Sequence, residues 1–346
     1  MNNDSFVWRH GDRTPVWDYP GDPNANYSWP AGPGELTPRG AVQHKRLGRI
    51  LRNISFCAPP LFQRAISSAQ ADMSGFFPNL GNGSLPEPSY RGRIPIHTFP
   101  VKTDPAFVPS CPNYDIKQQE YIDSMRPEVM RKFGHLIDLI YTKTGLNVTL
   151  NSFDPYNIYD LLHIQRDIYH LTVPDWVTPQ VMYDLKQFSI WRISTMVGFG
   201  SPPSTEIIRF KGEMLKEILQ RFEDKLACLQ NPQTPDANCS FLGPLKFYAY
   251  SSHDTTVCSV LASLGSYPAI PGHYTHYTIC VVLELWMRDG IPYIKIKLRP
   301  TQWGQFHIFT QFTTGCPSDE FCDFQTFKNR SLPYLPRNVK LECGLG

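Results

Sequence analysis

The stretch Phe6-Val7-Trp8-Arg9-His10-Gly11-Asp12-Arg13-Thr14-Pro15 decides how this chain is read. Phe6, Val7 and Trp8 favour a pleated strand, while Gly11 and Pro15 break any regular element directly after it. A strand therefore delivers Arg9, His10 and Arg13 into a loop. Each guanidinium can fork two charge-assisted hydrogen bonds onto phosphate oxygens, and an imidazole between them can attack phosphorus held in that position. Positioning and charge neutralisation are what phosphoryl transfer asks of a protein. The plain alternative is a basic surface loop with a chance histidine. The five fixed positions of Arg-His-Gly-x-Arg-x-Pro would arise by chance in a chain this long with odds of roughly one in ten thousand. In open α/β sheets ligands bind beyond the carboxyl ends of strands, where this loop would lie.

A second segment has the same form. Leu245, Phe247, Ala249 and Ser251 alternate with Lys246, Tyr248 and Tyr250 as a strand, and Val257, Val260, Leu261 and Leu264 recur at helical spacing until Gly265. Between them stand His253, Asp254 and Thr255, with Asp254 or Thr255 placed to cap the helix. A strand ending in a helix amino terminus offers free N–H groups and the positive end of a dipole to an anion. Taken alone this is ordinary capping; beside the first motif it reads as the other half of a phosphate site.

With both motifs, the chain resembles the histidine acid phosphatase family, in the branch of the prostatic and lysosomal acid phosphatases, over nearly its whole length. The resemblance implies an α/β fold: a three-layer sandwich with a central mixed, mostly parallel sheet, phosphoglycerate mutase-like, plus an inserted smaller helical domain. It also implies roles. His10 is the nucleophile, and Arg9, Arg13, Arg64 and His253 bind phosphate. Asp254 is the acid that protonates the leaving alkoxide and then the base for water. A carboxyl beside a phosphate anion is pushed toward its neutral form, so the activity should be acidic. Around Arg64 the chain departs from the family, with Ala65, Ser67 and Gln70 where a serine, an acidic residue and another arginine usually stand. The supporting salt bridges are missing, and what orients Arg64 is left open.

The activity this implies is hydrolysis of phosphate monoesters through a covalent phosphohistidine at acidic pH. Two alternatives stand beside it: a narrower enzyme of the same superfamily, phytase-like or a phosphomutase, and a secreted pseudophosphatase. Neither a cofactor nor a metal is called for, since no Cys, His, Asp or Glu run has ligand spacing; His273 and His276 read as ordinary loop residues. A net charge of +2 with scattered basic residues gives no nucleic-acid footprint, and the partners expected are small phosphate monoesters. A homodimer is left open.

Compartment follows from sequons and cysteines. Asn3, Asn26, Asn53, Asn82, Asn147, Asn238 and Asn329 each begin an Asn-x-Ser/Thr triplet, a secretory bias. Cys228 and Cys239, and likewise Cys316 and Cys322, bracket short loops and read as local disulfides. The resemblance adds a long-range bridge, Cys111 to Cys343, and matches Cys280 to a half-cystine whose partner position holds Gln165. Cys57 and the core-side thiol Cys258 have no assigned partner. A secreted or lysosomal, luminal location is expected, with no signal peptide ahead of the first strand and no apolar run long enough to span a membrane.

Along the chain, Thr37-Pro38 opens a helix to about Arg52, and the proline-rich stretch from Gly83 to Pro112 reads as extended connections. A helical pattern holds from about Asn113 to Gly200. Helix 213–226, strand 245–251, helix 255–264 and a hairpin across Asp289-Gly290 then return to an α/β layer. The domain assignment is 1–110 with 205–346 for the catalytic α/β unit and 111–204 for an inserted helical cap. Tyr156, Tyr159, Trp176 and Trp191 are assigned to packing within that cap. A central strand opened by Asn2, Asn3 and Asp4 should be weaker than usual.

Overall fold

The computed structural model describes residues 3–52, 63–77, 96–98, 104–105, 111–230, 237–317 and 319–345. Strand β1 (Asn3–Arg9) sits in the middle of the sheet, parallel to β2 (Phe247–Ser252) on one side and antiparallel to β3 (Cys280–Arg288) on the other. β3 continues into β4 (Ile291–Arg299) by a tight hairpin, in which Asp289 and Gly290 take positive φ of 51° and 79°. Both central residues of a type I′ turn need that left-handed conformation, which the Asp-Gly pair tolerates. Two short strands, β5 (His307–Ile308) and β6 (Cys322–Asp323), both pair with β4.

The sheet is mixed as expected, but its sense differs. Among the described residues only β1 with β2 is parallel, and the other pairings are antiparallel. A parallel pair needs a long crossover, which the helical region between β1 and β2 provides, whereas β3 and β4 are joined by two residues. The carboxyl-terminal third is therefore a meander. Alternation along β1 explains the layers: Val7 faces one core while Phe6 and Trp8 face another.

On the Phe6 side lie α1 (Pro38–Leu51) and α2 (Gln63–Phe76), packed through Leu47, Leu51, Met73 and Phe76. Thr37 caps α1 as anticipated, its hydroxyl accepting from the Gly40 N–H at 3.0 Å. The opposite face carries α7 (Thr205–Phe210), α8 (Glu213–Gln230) and α10 (Asp254–Ser263). The short α9 (Ala237–Leu242) lies between α8 and β2 in sequence; α11 (Phe324–Ser331) and α12 (Val339–Glu342) close the chain.

Helices α3 (Pro112–Ser124), α4 (Arg126–Thr144), α5 (Asp154–Leu162) and α6 (Pro179–Met196) enclose a core of their own, with Ile122, Phe133, Leu136, Ile140, Leu162 and Phe188 buried together. A π-helical turn, His163–Ile168, extends α5. Both ends of this helical region are tied into the sheet's core, through Tyr114 at one end and Ile193 and Met196 at the other.

Disulfides join Cys111 to Cys343, Cys228 to Cys239 and Cys316 to Cys322. The first ties the start of the helical region to the chain's last helix. Cys258 and Cys280 are buried free thiols, and Gln165 donates to Asp22 at 2.8 Å instead of bridging Cys280. Cys57 lies outside the described residues, as do Asn53 and Asn82 and the side chain of Asn238. Asn26, Asn147 and Asn329 are exposed. Asn3 corrects the sequon reading: it is 5% exposed within β1, where neighbouring strands leave no space for a sugar on the folded chain. The stretch 83–112 also falls almost wholly outside the described residues.

Candidate active site

At the carboxyl ends of β1 and β2 the two sequence motifs meet. The N–H of His10 donates to the Ser252 carbonyl at 2.8 Å, and the rings of His10 and His253 stand edge to face with centroids 5.4 Å apart. Parallel register does this, because Arg9 and Ser252 are Cα partners and the next residue of each strand enters the site. Gly11 then lets the loop turn under α1: a Cβ there would lie 2.6 Å from the Gly40 carbonyl oxygen. The loop is held by Asp12, whose carboxylate accepts from the Thr37 hydroxyl at 2.7 Å and whose N–H donates to Gln43 at 2.8 Å.

His10 is buried, and its Nδ1 lies 2.8 Å from the Gly11 carbonyl. A carbonyl only accepts, so Nδ1 carries the proton and the lone pair sits on Nε2. Burial first, then the positive charge of Arg9, holds this imidazole well below its ordinary pKa. It remains a neutral nucleophile in acid. His253 has the complementary tautomer. Arg64 donates to its Nδ1 at 3.5 Å, which leaves Nε2 as the protonated donor. Burial and Arg64 hold its pKa down to about 3.

Three arginines surround the pair. Arg9 is pinned by donation to the Thr275 carbonyl, by an ion pair to Asp254 at 3.1 Å and by the Tyr277 ring 4.5 Å beneath its guanidinium. Burial opposes its charge most strongly, but Asp254 together with Tyr156, Tyr274 and Tyr277 raises its pKa well above the ordinary value. Arg13 pairs with Asp160 at 3.0 Å. Arg64 is the second residue of α2, and the question of its support has an answer in the backbone. The Ser251 hydroxyl donates to the Ala65 carbonyl at 2.8 Å, and the Gly11 N–H donates to the Ser68 hydroxyl at 3.2 Å. The helix that carries Arg64 is thereby fastened to both motifs without the salt bridges that Ala65, Ser67 and Gln70 cannot make.

Asp254 is the first residue of α10, and His253 is the cap position, which corrects the capping reading. The carboxylate is committed elsewhere. It accepts from Tyr156 at 2.6 Å and from the Thr255 N–H at 2.8 Å, besides its contact with Arg9. Burial pushes this carboxyl up, but Arg9, then the Tyr156 hydrogen bond, then His253 hold it down at about 2. Without a bound phosphate Asp254 is a carboxylate; the acid form that the sequence reading calls for is the one expected beside a phosphate anion.

Tyr156, Asp160 and Tyr277 were missed or assigned to packing in the sequence. Tyr156 and Asp160 lie four apart on α5, so both point off one helix face into the site. That spacing of a phenol and a carboxylate was the available signal. Tyr277 had none, being in a loop. His273 and His276 lie nearby; burial holds His276 down at about 4. Among the described residues no group of His, Cys, Asp and Glu could hold a metal ion, and no helix is long and apolar enough to cross a membrane.

The family described as histidine phosphatase superfamily (branch 2) matches residues 61–299, a span holding Arg64, His253 and Asp254. The chain is 29% identical to lysosomal acid phosphatase of Homo sapiens, covering 99% of this chain and 79% of that protein. It is 32% identical to testicular acid phosphatase of Homo sapiens, covering 83% and 68%. Prostatic acid phosphatase of Bos taurus is 28% identical, covering 99% and 87%. Among solved structures, the phytase of Citrobacter braakii superposes with a TM-score of 0.68 at 15% identity, over 99% of this chain and 98% of that one, a likeness of fold. Both the sequence match and the fold thus lead to one conclusion: this chain belongs to branch 2 of the histidine phosphatase superfamily.

Proposed function

We propose that this protein is an acid phosphatase that hydrolyses phosphate monoesters through a phosphohistidine on His10. One observation carries the reading. A neutral imidazole with its Nδ1 proton committed to the Gly11 carbonyl presents its Nε2 lone pair among Arg9, Arg13 and Arg64, with the Asp254 carboxyl paired to Arg9.

In the first step Nε2 of His10 forms a bond to phosphorus as the ester P–O bond breaks. The arginines neutralise the equatorial oxygens, the neutral His253 donates to one of them from Nε2, and Asp254 gives its proton to the departing alkoxide. In the second step water forms the new P–O bond, the N–P bond breaks, and the carboxylate of Asp254 takes the water proton. Asp254 must acquire a proton for the first step, although Arg9 holds it near 2. A bound phosphate anion supplies the change: it competes for Arg9 and repels the carboxylate, so the pKa of Asp254 rises in the complex. His10 stays neutral meanwhile because it is buried beside cations. Activity in acid follows from that order of protonation.

The helical region acts as a cap over the strand ends, supplying Tyr156 and Asp160 to a site otherwise built on the sheet. Three disulfides, and relatives named for lysosome and prostate, support a luminal or secreted location. The test is initial-rate hydrolysis of alkyl and aryl phosphate monoesters between pH 4 and 8. Turnover that is greatest in acid is expected; folded protein that hydrolyses none of them refutes the reading.

A further inference from the structure

In an in-line displacement the leaving group departs on the side opposite His10, past the acid that protonates it. The region beyond Asp254 therefore decides which esters fit. Beside the first turn of α10, where Asp254 stands, the structure has a cavity of about 360 Å3. Thr255, directly after Asp254, forms part of its wall, as does Phe153, whose ring lies 6.1 Å from that of Tyr156, the phenol bound to Asp254. Asp254 does not line the cavity itself, but acid and cavity share these neighbours.

The walls are of two kinds. Phe153, Met196, Met214 and Tyr114 give an apolar and aromatic lining. Against them stands Lys211, between α7 and α8, with its ammonium 3.8 Å from the centroid of the Tyr114 ring and no ion pair among the described residues. Burial brings its pKa down to about 8, so it is a cation throughout the acid range. Asp115 also lines the cavity and acts on Lys211, but it is exposed to solvent, where its charge is screened. Arg192 is the other charged group acting on this lysine, and it adds positive potential. An apolar frame with one half-desolvated cation and no bound carboxylate suits a ligand that is flat or apolar and carries an anion at its far end.

We propose that this cavity is the leaving-group subsite and that Lys211 selects phosphate monoesters whose leaving group bears a second anionic group, a carboxylate or another phosphate, on an apolar or aromatic frame. This rests on the phosphatase reading above, and the experiment separates the two. Phenyl phosphate, its 3- and 4-carboxyl derivatives and 1,4-phenylene bisphosphate are compared at pH 5 for the wild type, Lys211→Met and Lys211→Arg. At least one anionic ester should exceed phenyl phosphate by about tenfold or more in kcat/KM. The ratio should collapse toward one in Lys211→Met and survive in Lys211→Arg. The carboxyl and bisphosphate arms tell which anion is preferred. A wild-type ratio near one, or a ratio that persists in Lys211→Met, overturns the subsite. Calorimetric binding of the same compounds to His10→Ala reads it without turnover. Tighter binding of an anionic ester that depends on Lys211 upholds the subsite even if hydrolysis itself were absent, and equal binding refutes it.

Discussion

Replacing Tyr156 by phenylalanine removes one hydroxyl and tests the reasoning about Asp254. The phenol donates to the Asp254 carboxylate at 2.6 Å and is the next contributor after Arg9 to holding that carboxyl at about 2. A hydrogen bond to a charged group is worth about 1.5–3 kcal/mol. At about 1.4 kcal/mol per pKa unit, its loss should raise the pKa of Asp254 by about 1–2 units. The ring itself stays, so the packing of Phe153 against it is kept. Asp254 must be protonated to deliver a proton to an alkoxide, so a raised pKa keeps the acid form to higher pH. The kcat profile for an alkyl ester, which reports the enzyme–substrate complex, should therefore shift its alkaline limb upward by about 1–2 pH units in Tyr156→Phe. An activated aryl ester, whose leaving group needs no proton, should show little shift in the same variant. No shift with the alkyl ester, or a shift downward, would mean that Tyr156 does not govern the proton on Asp254.

Asp254→Asn should lower turnover of alkyl esters on the order of a hundredfold or more and of activated aryl esters much less; a uniform loss across leaving groups removes Asp254 from the acid role. Gly11→Ala forces a methyl to within 2.6 Å of the Gly40 carbonyl. Displacing the loop should cost about 1–3 kcal/mol of stability in a urea melt and roughly a hundredfold in turnover, and wild-type behaviour would contradict the packing. Asp4 faces Glu284 across β1 and β3, and burial first, then Glu284, raises its pKa from 3.8 to about 7. A carboxyl raised on folding leaves stability fully present below its unfolded pKa and drains it as pH climbs through the folded one. The loss therefore falls between about pH 4 and 7 and is on the order of 4 kcal/mol. Asp4→Asn should gain stability over the wild type at pH 7.5 but hardly at pH 4; an equal gain at both pH values would refute the linkage.

The first motif was legible because its chemistry is packed into contiguous residues at a strand end, and β1 ends at Arg9 as the pattern required. His253 and Asp254 were legible for the same reason. What the motifs could not contain is the support for each charge. Asp160 and Tyr156 reach Arg13 and Asp254 only in the folded chain, and contact across 147 and 98 residues leaves no local signature. Arg64 looked unsupported because the expected partners were side chains, whereas the structure fastens its helix through the Ala65 carbonyl and the Ser68 hydroxyl. Strand sense was misjudged because a single strand's alternation is silent about its neighbour's direction, and only the Asp289-Gly290 turn specified one pair. The polar start of β1 mattered less than its place: Asn3 and Asp4 are paired on a central strand, at the cost of a buried carboxyl whose proton binds near neutrality.

Nε2 of His10 is the atom that takes the phosphoryl group in this mechanism. Rapid quenching with a 32P-labelled ester, followed by alkaline peptide mapping, measures this directly. An acid-labile, alkali-stable phosphate on the peptide holding His10, absent from His10→Ala of normal folded yield, is the result expected. Labelled turnover with no protein-bound phosphate, or label on another residue, would contradict it.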